Sequence, residues 1–189
     1  MQSYQLSLII TNFVEKNYMT EIMTHLSSAR LTLRRWRETD AEALYRYASD
    51  PDVGNPAGWP PHTSVEMSLE VIRAVFSAPH TFAVALKSTD EAVGCCGVVP
   101  TEISCEKGIP RDDVEIGYWL GKPYWGQGII PEAVELLTGY IENQLGHKRL
   151  WITFFDGNHK SKRVAEKCGF KYHHTANQND CKELCYVRD

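Results

Sequence analysis

The feature that most constrains the fold is a strand pattern that runs directly into a glycine-containing loop and then into a long helix. Residues 114–120, VEIGYWL, are apolar on nearly both faces, which is typical of a central strand in a sheet. Residues 121–130 form the loop, and a helix is predicted from Pro131 to about Leu145, because a proline costs little at a first helical position. This succession indicates an α/β fold.

Other segments predict further strands and helices around this unit. Alternating or apolar runs predict strands, and capping boxes predict helix starts. The strands are predicted at residues 31–36, 81–86, 92–99, 150–155, 170–174 and 183–188. The other helices are predicted to begin at Thr39, Thr63 and Asn158, with loops at residues 50–61 and 102–112. The order of these segments predicts one α/β domain with a mixed sheet.

Length and composition limit the domain count and the partners. The chain has 189 residues, and domains usually have about 100–150, so we expect one domain at residues 29–189, after an N-terminal extension of unknown role at residues 1–28. Asp and Glu (24) outnumber Lys and Arg (20), so neither nucleic acid nor a membrane surface is expected as a partner. No window approaches the roughly 20 apolar residues of a membrane span.

The cysteines and histidines do not predict a disulfide framework, a metal site or a covalent nucleophile. The six cysteines fit no disulfide pattern and no secretory signal is recognisable, so we expect free thiols in a cytoplasmic protein. Cys95 and Cys96 lack an identifiable partner histidine for covalent catalysis. No common zinc spacing is formed by the remaining candidates, His173, His174, Cys181 and Cys185.

The loop before the long helix has the chemistry of an anion-binding site. The first amides of a helix have no internal partner, and Gly126 and Gly128 would let the backbone approach a phosphate closely. A Walker loop would end in Gly-Lys-Ser/Thr, and a dinucleotide fingerprint would place a third glycine where Pro131 stands, so both nucleotide motifs are excluded. A plain turn between strand and helix without a ligand is the alternative.

Three ordered segments make a more specific pattern. Residues 115–120 (EIGYWL), 124–129 (YWGQGI) and 158–170 (NHKSKRVAEKCGF) resemble the GNAT superfamily of acetyl-CoA-dependent N-acetyltransferases. The branch that they most resemble is that of the ribosomal-protein N-terminal acetyltransferases. The resemblance implies a single GNAT-like domain: a mixed, mostly antiparallel central sheet, flanked by about four helices, with a splay between the two central strands.

The resemblance also implies where acetyl-CoA, the acetyl donor, would bind. The pantetheine arm would lie in the splay against the backbone of Tyr118, Trp119 and Leu120. Lys162 is part of a basic cluster near the expected phosphates. The loop residues implied to hold the pyrophosphate are Trp125, Gly126, Gln127, Gly128, Ile129 and Ile130. Ile130 replaces a small residue of the family and could crowd the phosphate.

Catalytic roles follow from the same resemblance. Asn158 would bond the pantetheine arm or orient the thioester, and Ser161 would protonate the leaving thiolate, because the tyrosine of many relatives is Ala165 here. Glu115 is the candidate base for the amine, with a buried carboxylate paired within the sheet as the alternative. Trp59 is expected to wall the acceptor pocket, or else to pack on a neighbour in a solvent-exposed turn.

The function implied is transfer of an acetyl group from acetyl-CoA to a primary amine, directly, in a ternary complex. A protein N-terminal α-amine and a small-molecule amine both remain open as acceptors. Dimers are common among relatives, so a homodimer is also open. The competing hypothesis is a non-catalytic acyl-CoA-binding or regulatory module with the same fold, for which Ala165 and Ile130 are the main arguments.

Overall fold

The predicted central strand lies in the middle of an eight-stranded sheet. The computed structural model describes residues 25–178 and 181–189. The strands are β1 Leu26–Ser27, β2 Leu31–Arg34, β3 Thr81–Leu86, β4 Ala92–Val98, β5 Val114–Leu120, β6 Leu150–Phe155, β7 Lys171–Gln178 and β8 Cys181–Arg188. The α-helices are α1 Ala41–Ala48, α2 Pro51–Gly54, α3 Val65–Ala74, α4 Thr101–Glu106, α5 Ile129–Tyr140 and α6 His159–Lys167.

The sheet is mixed and mostly antiparallel, as the resemblance implied. Its spatial order is β1-β2-β3-β4-β5-β6-β8-β7, and the β5–β6 pair is parallel while the other described pairs are antiparallel. Four of the helices have eight or more residues, which matches the expected number, and α2 and α4 are short additions. None of the helices in the described ranges is long and apolar enough to cross a membrane.

The two central strands part after a short paired section. Backbone pairing between β5 and β6 is limited to Val114 with Leu150 and Glu115 with Trp151. Beyond these pairs β5 keeps its bonds to β4, and β6 keeps its bonds to β8, but the two strands no longer bond to each other. The predicted splay is therefore confirmed, and it opens toward the ends of both strands.

A buried polar network holds β5 and β6 together at the foot of the splay. The Glu115 carboxylate is only 2% exposed and accepts hydrogen bonds from Lys107 at 2.7 Å and from Ser104 at 2.8 Å. The hydroxyl of Thr153, on β6, also donates to Glu115 and accepts from Lys107 at 2.9 Å. Glu183 of β8 lies 3.5 Å from the Lys107 ammonium. The network therefore joins three strands where backbone pairing between β5 and β6 ends.

Successive side chains of β5 pack against different layers, because strand residues alternate between faces. Trp119 stacks on Trp36 with ring centroids 6.2 Å apart, on the face that also carries Trp59. Tyr118 points the other way, and its hydroxyl donates to the Ser161 carbonyl in α6 at 3.2 Å. The strand thus separates an α6 side of the sheet from an aromatic side.

Two helices begin later than the capping-box patterns predicted. The Asp40 carboxylate receives two bonds from the Arg34 guanidinium and one from the Arg37 amide, so α1 begins at Ala41 instead of Thr39. Helix α3 is capped by Ser64, whose hydroxyl accepts from the Met67 amide at 3.1 Å, and not by Thr63. Local patterns predicted the helices correctly but misplaced their first residues.

Three other predictions need correction. Helix α2 lies in a stretch predicted to be irregular, because Pro51 stands in its first turn, where no amide donor is needed. Helix α4 lies within the predicted 102–112 loop, and α5 begins at Ile129 instead of Pro131. Leu26–Ser27, within the segment assigned to the N-terminal extension, pairs with β2, and residues 1–24 of that segment lie outside the described part.

Removing the carboxylate at the foot of the splay should destabilise the fold strongly. Glu115→Ala leaves the Lys107 ammonium buried with a weaker pairing to Glu183, and breaking a buried pair in this way costs about 3–5 kcal/mol. The free energy of unfolding from urea titration measures the loss. Glu102→Ala, at an exposed pair whose atoms are 3.9 Å apart, is the control and should stay within about 0.5 kcal/mol of the unmodified chain. Equal stability of the two variants would contradict the role of the network.

Candidate functional site

The loop before α5 presents a run of unbonded backbone amides. Gly126 and Gly128 both have positive φ, 76° and 74°, which an L side chain rarely adopts. Within the described residues, the amides of residues 126–130 have no hydrogen-bond acceptor, and the first bond of the helix runs from Glu132 to the Gly128 carbonyl. A Cβ built on Gly126 would meet nothing within 4 Å. The loop is therefore an open cradle of donors at the positive end of a helix.

The isoleucines of the cradle do not obstruct it. The side chains of Ile129 and Ile130 are 2% and 5% exposed and belong to the hydrophobic core. The free amides of a first helical turn point along the axis toward the N-terminal end of the helix, whereas these two side chains pack into the core. The bulk of Ile130 is therefore directed into the protein and leaves the loop surface open.

Arg30 is a cation of this region that sequence reasoning missed. Its guanidinium donates to the Gln127 carbonyl at 2.9 Å and pairs with Glu132 at 2.6 Å. This bond fixes the carbonyl of the loop, so that the neighbouring amides keep their orientation. No local pattern could have indicated the contact, because Arg30 reaches the loop only through the packing of α5 beside β2.

Trp125 connects the cradle to the two elements on either side of it. Its indole Nε1 donates to the Leu120 carbonyl at the end of β5, at 2.8 Å. The Lys160 ammonium of α6 lies 3.4 Å from the centre of the same ring, a close cation–π contact. Lys162, the basic residue predicted near the phosphates, lies 3.9 Å from Glu166 one turn later in α6. The structure therefore places Lys160, a member of the same basic cluster, against the cradle loop.

The first turn of α6 places Asn158 and Ser161 side by side. Asn158 caps the helix by accepting from the Ser161 amide at 3.1 Å, and its side-chain nitrogen donates to the Pro56 carbonyl at 3.3 Å. Asn158 therefore caps α6, and because each end of a side-chain amide can form a second hydrogen bond, its contact with the pantetheine arm stays a prediction. The Ser161 hydroxyl makes no hydrogen bond within the described residues, so it remains available for another partner.

Tyr118, on β5, reaches the same first turn of α6. Its hydroxyl donates to the carbonyl of Ser161, so β5 and the start of α6 meet across the opening of the splay. Burial raises the pKa of Tyr118 well above its ordinary value, which keeps the phenol protonated at neutral pH. The Tyr118 hydroxyl is thus a fixed donor next to Ser161.

Glu115 has the features of a buried, paired carboxylate, which the sequence left open as the alternative to a catalytic base. Its carboxylate is bound by Lys107, Ser104 and Thr153 and is almost fully buried. These bonds use both carboxylate oxygens, so the group is a paired structural carboxylate at the foot of the splay. The geometry does not favour Glu115 as a base.

An aromatic cluster covers the other face of β5. The Trp59 ring lies 6.1 Å from Trp119 and 5.5 Å from the His62 imidazole. A Cβ on Gly54 would come within 2.7 Å of the Trp59 ring, so only glycine permits this tryptophan to fold back onto the sheet. Trp59 is therefore half-buried against β5 rather than exposed in a turn, and the buried Trp119 Nε1 has no hydrogen-bond partner in the described residues.

The cysteines and the histidine pair do not form a reactive centre in the described residues. All six cysteines are free thiols. Burial raises the pKa of Cys95 to about 12 and raises the pKa of Cys96 well above its ordinary value, so neither is a thiolate at neutral pH. His173 and His174 bond to each other at 2.9 Å, and no group of three potential metal ligands comes together within residues 25–178 and 181–189.

Comparison with known proteins identifies the family. A family model described as an acetyltransferase (GNAT) domain matches residues 30–171. The chain is 35% identical over 133 residues to the uncharacterized N-acetyltransferase p20 of Bacillus licheniformis, a match that covers 68% of this chain and 71% of that protein.

Solved structures share the same architecture. An acetyltransferase (GNAT family) from Bacillus anthracis matches with a TM-score of 0.72 at 23% identity, over 87% of this chain and 97% of that one. RimL, described as a ribosomal L7/L12 alpha-N-protein acetyltransferase in complex with coenzyme A, matches with a TM-score of 0.68 at 20% identity, over the same shares of each chain. Because the family model matches well over half of its residues, this chain belongs to the acetyltransferase (GNAT) domain family.

Proposed function

We propose that the protein transfers an acetyl group from acetyl-CoA to a primary amine, with both substrates bound at once. The observation that carries the proposal is the run of unbonded amides at residues 126–130 beside two parted strands. A pyrophosphate needs several donors without side chains in the way, and an amide-bearing arm needs unpaired strand backbone. Both requirements are met next to each other, at the ends of β5 and β6.

The residues present fit a CoA ester. The cradle amides would hold the pyrophosphate, supported by the helix dipole of α5 and by the Lys160 ammonium, which is already close to Trp125. The backbone of Tyr118 and Trp119 would pair with the pantetheine arm on the side that β6 leaves free. The Leu120 carbonyl already accepts a hydrogen bond from the Trp125 indole. We therefore expect the position of Leu120 in β5, more than a bond to that carbonyl, to matter for binding of the pantetheine arm.

In direct transfer, the groups that act on the thioester and the approaching amine would lie on different faces of β5. A backbone amide of β5 would polarise the thioester carbonyl, and the free Ser161 hydroxyl would donate a proton to the departing sulfur. The acceptor amine would approach from the side of Trp59 and Trp119, whose rings exclude water. The amine nitrogen bonds to the carbonyl carbon as the carbon–sulfur bond breaks, so no enzyme-bound acyl group is needed.

The acceptor amine must reach the site uncharged. A protein α-amine has a pKa of about 7.7–8.0 and is partly neutral at pH 7, whereas a lysine side chain at about 10.4 is almost wholly charged. A peptide α-amine and a small-molecule amine of low pKa both satisfy this requirement. The RimL neighbour, named for α-N-acetylation, supports the first class, although its likeness to this chain lies in the fold.

A non-catalytic acyl-CoA-binding module is the second candidate. The observation in its favour is that Ala165 is fully buried in α6, where many relatives carry a tyrosine hydroxyl. Release of free CoA separates the two candidates: acetyl-CoA is mixed with a serine-initiated peptide, benzylamine or buffer alone. We expect amine-dependent thiol release and a product heavier by one acetyl group. Tight CoA binding with no amine-dependent release would favour the module.

Filling the cradle should weaken CoA binding. Gly126→Val puts a branched side chain into the open space of the loop, and losing charge-assisted bonds of about 1.5–3 kcal/mol raises the dissociation constant about 10- to 100-fold. Gly146→Val is a matched control, because Gly146 also has positive φ and open space around a Cβ but lies after α5. Calorimetric titration with CoA measures both. Equal affinities in the two variants would argue against the cradle.

Ser161→Ala tests the proton donor. Because the hydroxyl makes no bond within the described residues, its removal should leave stability and CoA affinity nearly unchanged while lowering kcat about 100-fold. Ser88→Ala, in an exposed turn, is the control. Turnover is followed by thiol release at saturating acetyl-CoA. A kcat within twofold of the unmodified chain would remove Ser161 from the chemistry and leave the Tyr118 hydroxyl as the nearest fixed donor.

A further inference from the structure

We propose that His62 is the base that takes the proton from the acceptor amine, and that Ser68 positions it. This inference rests on the proposed acetyl transfer and assigns a residue to the one step for which Glu115 is unsuitable. His62 lies in the segment between α2 and α3, on the aromatic side of β5. It is 8% exposed, and none of the contacts described above for the donor site involves it.

Three bonds fix His62 and its support. The His62 amide donates to the Ala48 carbonyl in α1 at 3.0 Å, and its ring Nδ1 lies 2.8 Å from the hydroxyl of Ser68 in α3. Ser68 is fully buried, and its hydroxyl also lies 3.2 Å from the Ser64 carbonyl. The backbone of His62 is therefore fixed to α1 and its ring to α3, which is the support that a precisely placed side chain requires.

We assign one tautomer of the imidazole from the bonds of Ser68. The Ser64 carbonyl can only accept, so its bond with Ser68 uses the single hydroxyl proton. The Ser68 oxygen must then accept from His62 if both bonds are to be satisfied together, which places the ring proton on Nδ1. The lone pair is left on Nε2, which has no hydrogen-bond partner among the described residues.

Aromatic contacts link His62 to the section of β5 that borders the splay. The ring contacts Trp59, and Trp59 contacts Trp119, which belongs to the section of β5 that is separated from β6. The Trp119 Nε1 is buried without a partner in the described residues, and such a donor costs about 1–3 kcal/mol unless something accepts from it. The His62 imidazole and the unpaired Trp119 donor are therefore connected through Trp59 on the aromatic side of β5.

The environment also keeps His62 uncharged before the reaction. Burial lowers the pKa of its imidazole below the ordinary value, so the neutral ring predominates at pH 7. The groups that contact it from α1, α3 and its own segment are Ala48, Ser68 and Trp59, and none of these is charged. A neutral base with a directed lone pair is what removal of an amine proton requires.

The proton balance is simple. The amine nitrogen forms its bond to the thioester carbonyl carbon and becomes positively charged, and one of its protons passes to the His62 Nε2. The carbon–sulfur bond breaks and the sulfur takes a proton from the Ser161 side. The imidazolium returns its proton to solvent and the Ser161 oxygen recovers a proton from solvent before the next turnover, so the sum is an amide and a free thiol.

His62→Gln and His62→Ala test the proposal, with acetyl-CoA and a serine-initiated peptide or benzylamine as substrates. His62→Gln can still bond to Ser68 but cannot take a proton, so we expect kcat/KM to fall about 100-fold or more while CoA affinity stays within about twofold. His147→Gln, at a histidine that bonds to the Asp112 carbonyl away from the site, should behave as the unmodified chain. A kcat/KM for His62→Gln above half of the unmodified value would overturn the proposal.

Chemical rescue separates a base from a space-filling ring. Imidazole added to His62→Ala should restore turnover at least about tenfold, whereas pyrazole, which has the same shape but is a much weaker base, should not. Equal rescue by both compounds would overturn the proposal. Should His62→Ala fail to fold, Ser68→Ala keeps the imidazole but removes its support. It should lower kcat several-fold with unchanged CoA affinity, and an unaltered kcat would count against the proposal.

The same experiments distinguish failure of this inference from failure of the proposed function. Turnover by the unmodified chain, together with full activity of His62→Gln, refutes the inference and leaves acetyl transfer standing. No turnover with any amine, despite CoA binding, refutes the acetyl transfer and the role of His62 with it.

Discussion

The ion pair between Glu115 and Lys107 joins the sheet at the point where it would otherwise divide. β5 and β6 share only two residue pairs, and a parallel pairing this short cannot by itself keep two halves of a sheet in register. The carboxylate bonds to Thr153 on β6, and the ammonium lies near Glu183 on β8. Side-chain bonds therefore connect the strands where the backbone pairing ends. The strands can then part above this point without separating the two halves of the core.

The parted strands determine how the rest of the site is arranged. β5 carries Tyr118 toward α6 and Trp119 toward the aromatic cluster, so the donor and the acceptor of a transfer reaction can approach one strand from two sides. The cradle loop follows β5 directly, and its glycines expose the first amides of α5 because their side chains are absent. A thioester held by this loop and strand would have its reacting carbon at the boundary between the two faces.

Much of this arrangement could be predicted from the sequence, and the failures share one cause. The central strands and the loop depend on local patterns, and so does the end of α6, where the Phe170 amide bonds to the Ala165 carbonyl across Gly169. The predicted start of α1 was wrong, because the Arg34 guanidinium of β2 binds the Asp40 carboxylate just before the helix. Arg30 at the cradle had no signal at all, since its partner Gln127 is distant in the chain.

The sequence by itself determined most of the strands and the longer helices, the family and the position of the anion cradle, because each depends on residues close together in the chain. Only the tertiary structure decided which polar side chains are free to react. For Glu115 the sequence left a base and a paired carboxylate open, and the bonds from Lys107 and Thr153 favour the second. For His62 the sequence indicated no role, and its contacts with Ser68 and Trp59 come from packing. The reactivity of a titratable group depends on burial and on partners, and strand pairing and helix packing bring those partners from distant parts of the chain.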